Sequence, residues 1–328
     1  MRTSSTLADV AQADAASDER QTGTGRRLVV TWQNPIDRRI SPVGMLNFDG
    51  QTYSFYYIRN ALRVAGFRPF LGFPDLQVRY QSNRLFPLFA QRAMTPRRPD
   101  FTRWVTRLGL TEDATPWEQI ARSGGRREGD TIQLFPAPVI SDGRLDCDFL
   151  VHGMRYVLER KLPVGKEFWR PPTRTELEAR LSTLRPDDEL RLLNEPTNRV
   201  NTRAILATTT DDFPLGWVPD LLVEEIHRVP NRSSVRASVR VVNGPEAGWH
   251  LRLLAHLTAE VPDDFEVFEG TGWESLETDP ANCPHTNVTV HGLGGVIDGN
   301  VDTVSSDWAT CRDCGAKVPN PLSEAGGP

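Results

Sequence analysis

"LLNEPTNRVNTRAILA", residues 192–207, sets a polar stretch of Asn, Thr, Arg and Pro between two short apolar runs, Leu192-Leu193 and Ala204–Ala207. The pattern reads as strand, loop, strand. Glu195-Pro196 ends the first strand, because Pro donates no ladder hydrogen bond, and Ala204-Ile205 starts the second. The loop gathers hydrogen-bonding amides with the positive charges of Arg199 and Arg203. A plain turn would also use Asn, which tolerates left-handed backbone geometry.

Outward from this loop the chain stays rich in strands. Phe149–Tyr156, Glu189–Asn194, Ala204–Thr208 and Leu215–Val218 read as short strands, and Pro219–Arg228 reads as a closing helix. Val235–Val242 adds a strand, and Trp249–Glu260 a strand or short helix. Upstream, Leu28–Trp32, Val43–Phe48 and Thr52–Ile58 read as antiparallel strands. Arg84–Leu110 reads as helical but broken at Pro96-Arg97-Arg98-Pro99. Trp117–Ser123 reads as a short helix closing on Gly124-Gly125, and Asp130–Phe135 as a strand. The expected fold class is α+β, mostly β. The Pro/Gly/Asp-rich passage PAPVISDGRLDCD places a boundary near residue 145.

The expected organisation is a disordered tail over 1–26, an α+β module over 27–145, a small β-barrel over 146–232 and a β extension packed on it over 233–275. A metal-binding segment over 276–317 and a flexible tail over 318–328 follow. The amino-terminal stretch has almost no large apolar side chain to offset its ordering entropy.

A formal net charge of −5 excludes a polycation that coats nucleic acid without selectivity, so any such contact must be local. No run of 18 or more apolar residues occurs and no apolar signal core opens the chain, so the expectation is a soluble, cytoplasmic protein with no membrane partner.

Two resemblances accompany this reading. Arg155-Tyr156, Asn194–Asn198, Asn201, Ala204-Ile205 and Leu215–Pro219 together resemble the HIRAN domain over residues ~148–230. The resemblance implies an OB-like barrel that binds single-stranded DNA and captures a 3′ end. It implies that Arg155 contacts phosphate, Tyr156 stacks on a base, and Asn198 bonds the terminal nucleotide. The chain departs from the pattern at Val200, where the family loop has an aromatic, and at Asn201, where it has Asp. Losing that aromatic forfeits a stack typically worth about 1–3 kcal/mol. Groove binding is therefore implied more firmly than end capture.

Val43–Leu46, Phe55–Tyr57, Phe86–Phe89 and Gly124–Asp130 resemble, in order, the amino-terminal subdomain of HipA-like toxins over ~27–137. The kinase part of that family has no counterpart here. No phosphate loop and no H-R-D-like catalytic loop is present.

Cys283-Pro284-His285 and Cys311-Arg312-Asp313-Cys314 are two close ligand pairs separated by 25 residues, the arrangement a tetrahedral structural zinc requires. The expected cofactor is Zn²⁺ on Cys283, His285, Cys311 and Cys314, with His291 as substitute for His285. Four protein ligands leave no open position for a catalytic water.

For nucleic acid, residues 150–204 hold eleven Lys and Arg against eight Asp and Glu, interleaved with aromatics. The candidate contacts are Arg155, Tyr156, Asn198, Arg199, Asn201, Arg203, Lys166 and Trp169. The plain alternative is a solvated charged face. Arg92, Arg97, Arg98, Arg103, Arg107, Arg122, Arg126 and Arg127 form a second basic concentration that ordinary helix surface charge also explains. Asp146-Cys147-Asp148 lacks a matched partner nearby in sequence, and no catalytic constellation emerges. The expectation is a non-catalytic protein that recognises single-stranded or terminal DNA in a repair or phage-defence setting. The alternative is an interaction scaffold or antitoxin-like partner of a HipA-type kinase, and a hydrolase or nuclease stands behind both.

Overall fold

The computed structural model describes residues 26–127, 129–162, 170–277, 288–297, 300–311 and 317–319. The tails expected at the two ends, up to residue 25 and from 320 onward, lie outside them. The fold is α+β and mostly sheet.

The first sheet is formed by β1 (Arg26–Gln33), β2 (Ile40–Phe48), β3 (Tyr53–Tyr57), β4 (Tyr80–Ser82) and β5 (Ile132–Pro136), in the order β4-β3-β2-β1-β5. Its pairings are antiparallel. Alternation divides its two faces. Leu28, Val30, Leu46, Phe55 and Tyr57 enter an aromatic core with Phe73, Phe89 and Trp117, whereas Val29, Met45 and Ile58 point into the core of the second sheet. The Tyr57 hydroxyl, buried among rings, donates to the Phe73 carbonyl at 2.9 Å and accepts from the Phe70 amide at 2.7 Å.

Between β4 and β5 lie α1 (Pro87–Ala90), α2 (Phe101–Arg107) and α3 (Pro116–Ser123). The helical stretch expected over 84–110 is thus broken around Pro96–Pro99, as Pro requires, and its pieces are short. α3 begins with a capping box in which the Thr115 side chain accepts from the Glu118 amide, and ends at Gly124 with φ 69°.

The chain leaves the first sheet after Pro136 and enters the second at β6 (Val139–Ser141), so the passage read as a boundary carries the crossing and the hairpin to β7 (Arg144–Leu150). α4 (Met154–Val157) and α5 (Arg174–Thr183) follow, then β8 (Glu189–Asn194), β9 (Ile205–Thr208) and β10 (Pro214–Trp217). α6 (Asp220–Arg228), β11 (Arg236–Val242) and β12 (Leu253–Glu260) complete this part. The seven strands run β10-β9-β8-β11-β12-β7-β6. The strands β11 and β12, expected to pack on the sheet as an extension, lie inside it.

This second sheet curls into a half-barrel. His152, just past β7, exchanges two backbone hydrogen bonds of 2.8 Å with Trp217 of β10. After β12 the chain returns to the first sheet, where Ser275 bridges Ile58 and the Leu276 amide donates to the Tyr57 carbonyl at 2.9 Å. Ion pairs Arg59–Glu274 and Arg79–Glu277, at 2.7 and 2.6 Å, fasten the return.

A third, three-stranded sheet joins β13 (Val288–Ile297), β14 (Asn300–Cys311) and β15 (Lys317–Pro319). No helix among the described residues is long and apolar enough to cross a membrane.

Candidate nucleic-acid interface and metal-ligand residues

The loop between β8 and β9 is organised by one buried carboxylate. Glu195 is 2% exposed and accepts from three donors: Arg160, Asn198 Nδ2 at 2.9 Å and the Trp217 indole N–H. A buried carboxylate is tolerable only with such partners. Asn198 turns its other end inward as well, its Oδ1 accepting from the amides of Val200 at 3.0 Å and Asn201 at 3.3 Å. Its side chain therefore shapes the loop, and both of its polar ends are occupied within it.

Asn201 Nδ2 donates to Asp220 at 2.8 Å, and its Oδ1 accepts the Arg203 amide at 2.9 Å. The Arg203 guanidinium pairs with Glu224 at 2.6 Å, and its carbonyl meets His227 Nε2 at 2.9 Å. The loop is thus held to α6. Val200 stands 88% exposed at its tip, where the family resemblance would have an aromatic, and Arg199 beside it is exposed.

Arg155 and Tyr156 lie on α4, not on the strand expected over 149–156. Gly153 adopts φ 69° and starts this helical turn, a conformation that a strand cannot contain. A Cβ there would stand 2.6 Å from the Trp217 ring, so glycine also lets α4 seat against β10. Tyr156 is 52% exposed, with the Arg155 guanidinium 5.1 Å above its ring centre. Nearby, Arg160 lies 5.6 Å over the ring of Trp217 on β10. The structure therefore brings Arg155, Tyr156, Arg160, Trp217 and Glu195 to one end of the half-barrel. Trp217 and Arg160 were not among the sequence candidates, although Trp217 stood within the quoted Leu215–Pro219 motif. Lys166 and Trp169 lie outside the described residues.

Charge pairing changes the electrostatic picture of this region. Arg155, Arg160, Arg170, Arg180, Arg191 and Arg203 pair respectively with Glu159, Glu195, Glu176, Asp211, Asp212 and Glu224. Their surplus over 150–204 is largely spent on neighbouring acids.

Asp146 and Asp148, on β7, flank His256 of β12. His256 Nδ1 lies 2.7 Å from Asp148 and its Nε2 lies 3.3 Å from Asp146. Hydrogen bonds to Asp146 and Asp148 outweigh burial and push His256 up to about 9, so it is an imidazolium at neutral pH. Burial alone would raise Asp148, but His256 and Arg122, 3.1 Å away on α3, hold it below its ordinary value. Cys147 faces the opposite side and is buried. Burial, reinforced by both acids, pushes its thiol far up, which keeps it protonated and unreactive. The cluster is a charge clamp joining α3 to the second sheet. His152 is held neutral by burial, down to about 4, and packs 5.8 Å from the Phe135 ring.

Of the expected zinc ligands, Cys311 is buried at the end of β14 and lies opposite Val288, the first residue of β13. Cys283, His285 and Cys314 lie outside the described residues, and His291 falls at the register shift between Val290 and Gly292.

Comparison with protein-family models, with characterised proteins and with solved structures finds no match.

Proposed function

We propose that this chain is a non-catalytic nucleic-acid-binding protein, with a HIRAN-like, OB-like half-barrel that begins at β7 and takes in β11 and β12, a HipA-amino-terminal-like module before it and a zinc-held carboxy-terminal segment. Its ligand is single-stranded or terminal DNA, in a repair or phage-defence setting. The observation that carries the reading is the exposed Tyr156 with Arg155 over its ring, next to the Arg160–Trp217 pair at the end of the curled sheet. Aromatic faces beside guanidinium groups suit bases beside phosphates. Arg199, exposed at the loop tip, adds a further phosphate contact. Asn198 and Asn201 act by fixing the loop.

Structural Zn²⁺ fits the β13–β14 hairpin. Val288 and Cys311 are partners, so Cys283 and His285 precede, and Cys314 follows, the same open end of the hairpin. At about 3.3–3.6 Å per residue both ligand pairs can reach a common ion there. The metal would hold that end closed, as it does in small zinc ribbons.

Fluorescence anisotropy on oligonucleotides ending in 3′-OH or 3′-phosphate, on duplex DNA and on RNA tests the reading. Single-stranded DNA should bind at micromolar or tighter affinity and weaken steeply with salt, and Tyr156→Ala should weaken it about five- to tenfold, the value of a lost stack. Absence of binding to every form would remove the proposal.

A further inference from the structure

Positive charge is distributed in this molecule far from where sequence motifs direct attention. Residues 26–137 contain seventeen Arg and no Lys against nine Asp and Glu, a surplus of eight in a chain whose net charge is −5. The remainder is correspondingly acidic. Several of these arginines serve the fold: Arg92 is buried against Asp130, and Arg59, Arg79, Arg107 and Arg122 reach acids elsewhere in the chain.

Four others do not. Arg38 and Arg39 at the tip of the β1–β2 hairpin, and Arg63 and Arg68 after β3, are exposed and form no ion pair among the described residues. The two segments meet at one end of the first sheet. Asn34 Nδ2 donates to the Ala65 carbonyl at 3.5 Å, and the Trp32 and Phe67 rings pack edge-on at 5.7 Å. Asp37 is the one acid of the hairpin tip, and its carboxylate accepts the Arg39 amide at 2.9 Å. Ile36, 91% exposed, and Leu62, 63% exposed, lie on the same two segments.

Resting on the nucleic-acid reading above, we propose that this arginine end of the first sheet is a phosphate-backbone contact surface, and that it supplies the salt-dependent share of nucleic-acid affinity. Unpaired arginines in an otherwise acidic molecule attract a polyanion and orient it, and guanidinium forks match phosphate oxygens. The paired arginines of the second sheet would first have to surrender their carboxylates. Ile36 and Leu62 offer apolar faces to sugars and base edges.

The test uses the full chain and a labelled single-stranded oligonucleotide, with affinity read between about 50 and 200 mM salt. Replacing Arg38, Arg39, Arg63 and Arg68 by Ala should raise Kd at low salt by about tenfold or more and flatten the slope of log affinity against log salt by about 3, near 0.7 per phosphate contact. The same four positions as Lys should keep most of the slope, which separates lost charge from lost folding. An unchanged Kd and slope in the Ala variant, with binding still weakened by Tyr156→Ala, would overturn this surface and leave the proposed function standing. No binding by the unsubstituted chain would remove both. Retention of poly-glutamate but not of DNA by the unsubstituted chain, lost in the Ala variant, would assign the surface to an acidic protein and overturn it for nucleic acid.

Discussion

Glu195 is the residue on which the candidate interface turns. Three donors converge on it from three different elements, so a neutral or shortened side chain leaves Arg160, Asn198 and Trp217 short of an acceptor at once. Hydrogen bonds to a charged group are each worth about 1.5–3 kcal/mol, and Glu195→Ala should cost about 3 kcal/mol in urea unfolding, with Glu195→Gln milder. Gly153→Ala forces a left-handed conformation on a residue with a Cβ and drives that Cβ into the Trp217 ring. A loss of about 2–3 kcal/mol, read as a lowered Tm, follows from strain and overpacking together. Legibility at this scale was uneven. The Asn-rich loop was recognisable as a loop from its composition, but the inward use of Asn198 depends on Glu195 and on backbone amides whose directions no sequence pattern gives. Arginine partners were equally hidden, because Arg180 and Arg191 find their acids only when α5 and β8 meet the Asp211-Asp212 turn.

At the scale of elements, alternation located β1, β3, β5 and β8 to β11 to within a residue or two, since each buries one or both faces, whereas β4, β6 and β13 to β15 carried no alternation that was read as strand. Residues 149–156 are the instructive failure. Their alternation continues past Leu150, but the left-handed Gly153 turns the chain into α4, and a period-two pattern does not register that reversal. α5 escaped notice because its apolar residues are few, though Thr173 and Glu176 form a capping box that would have marked its start. The β7–β12 pair carries the His256 clamp, whose pH dependence has a definite sign. The folded value near 9 exceeds the unfolded value near 6.5, so the stabilisation is complete below about pH 6.5 and is lost as pH rises through about 9. A shift of that size corresponds to roughly 3 kcal/mol or a little more, less what solvent screens at a partly exposed site. His256→Gln should remove most of the stability difference between pH 6.5 and 9.5, read by urea midpoints. If the zinc site proposed above is right, chelation or Cys311→Ser should lower the metal content found by a colorimetric assay and make residues 276–319 sensitive to proteolysis.

For the whole molecule, the sequence announced two sheets and their order but not their mutual burial. Val29, Met45 and Ile58 join the second sheet's core from the back of the first, which could be inferred only by noticing that β1 is apolar on both faces. Charge was likewise legible as a total and illegible as a distribution. Its separation into a basic first sheet and an acidic remainder makes orientation in an electric field a property of this molecule. Approach to a polyanion should therefore be faster at low ionic strength, with association rate, more than dissociation rate, falling in stopped-flow measurements as salt rises.

The returning segment near residue 275 also imposes an order in time. Arg79 and Glu277 stand 198 residues apart along the chain, and the Ile58–Ser275 bridge lies close by. During synthesis, β1 to β5 emerge long before their fastening does. Until the strands of the second sheet emerge, Val29, Met45 and Ile58 have no apolar cover, and the early half must wait, collapsed and adhesive, first for that cover and then for its fastening. Premature arrest before residue 270 should therefore yield a nascent chain that recruits chaperones, whereas the finished chain releases them.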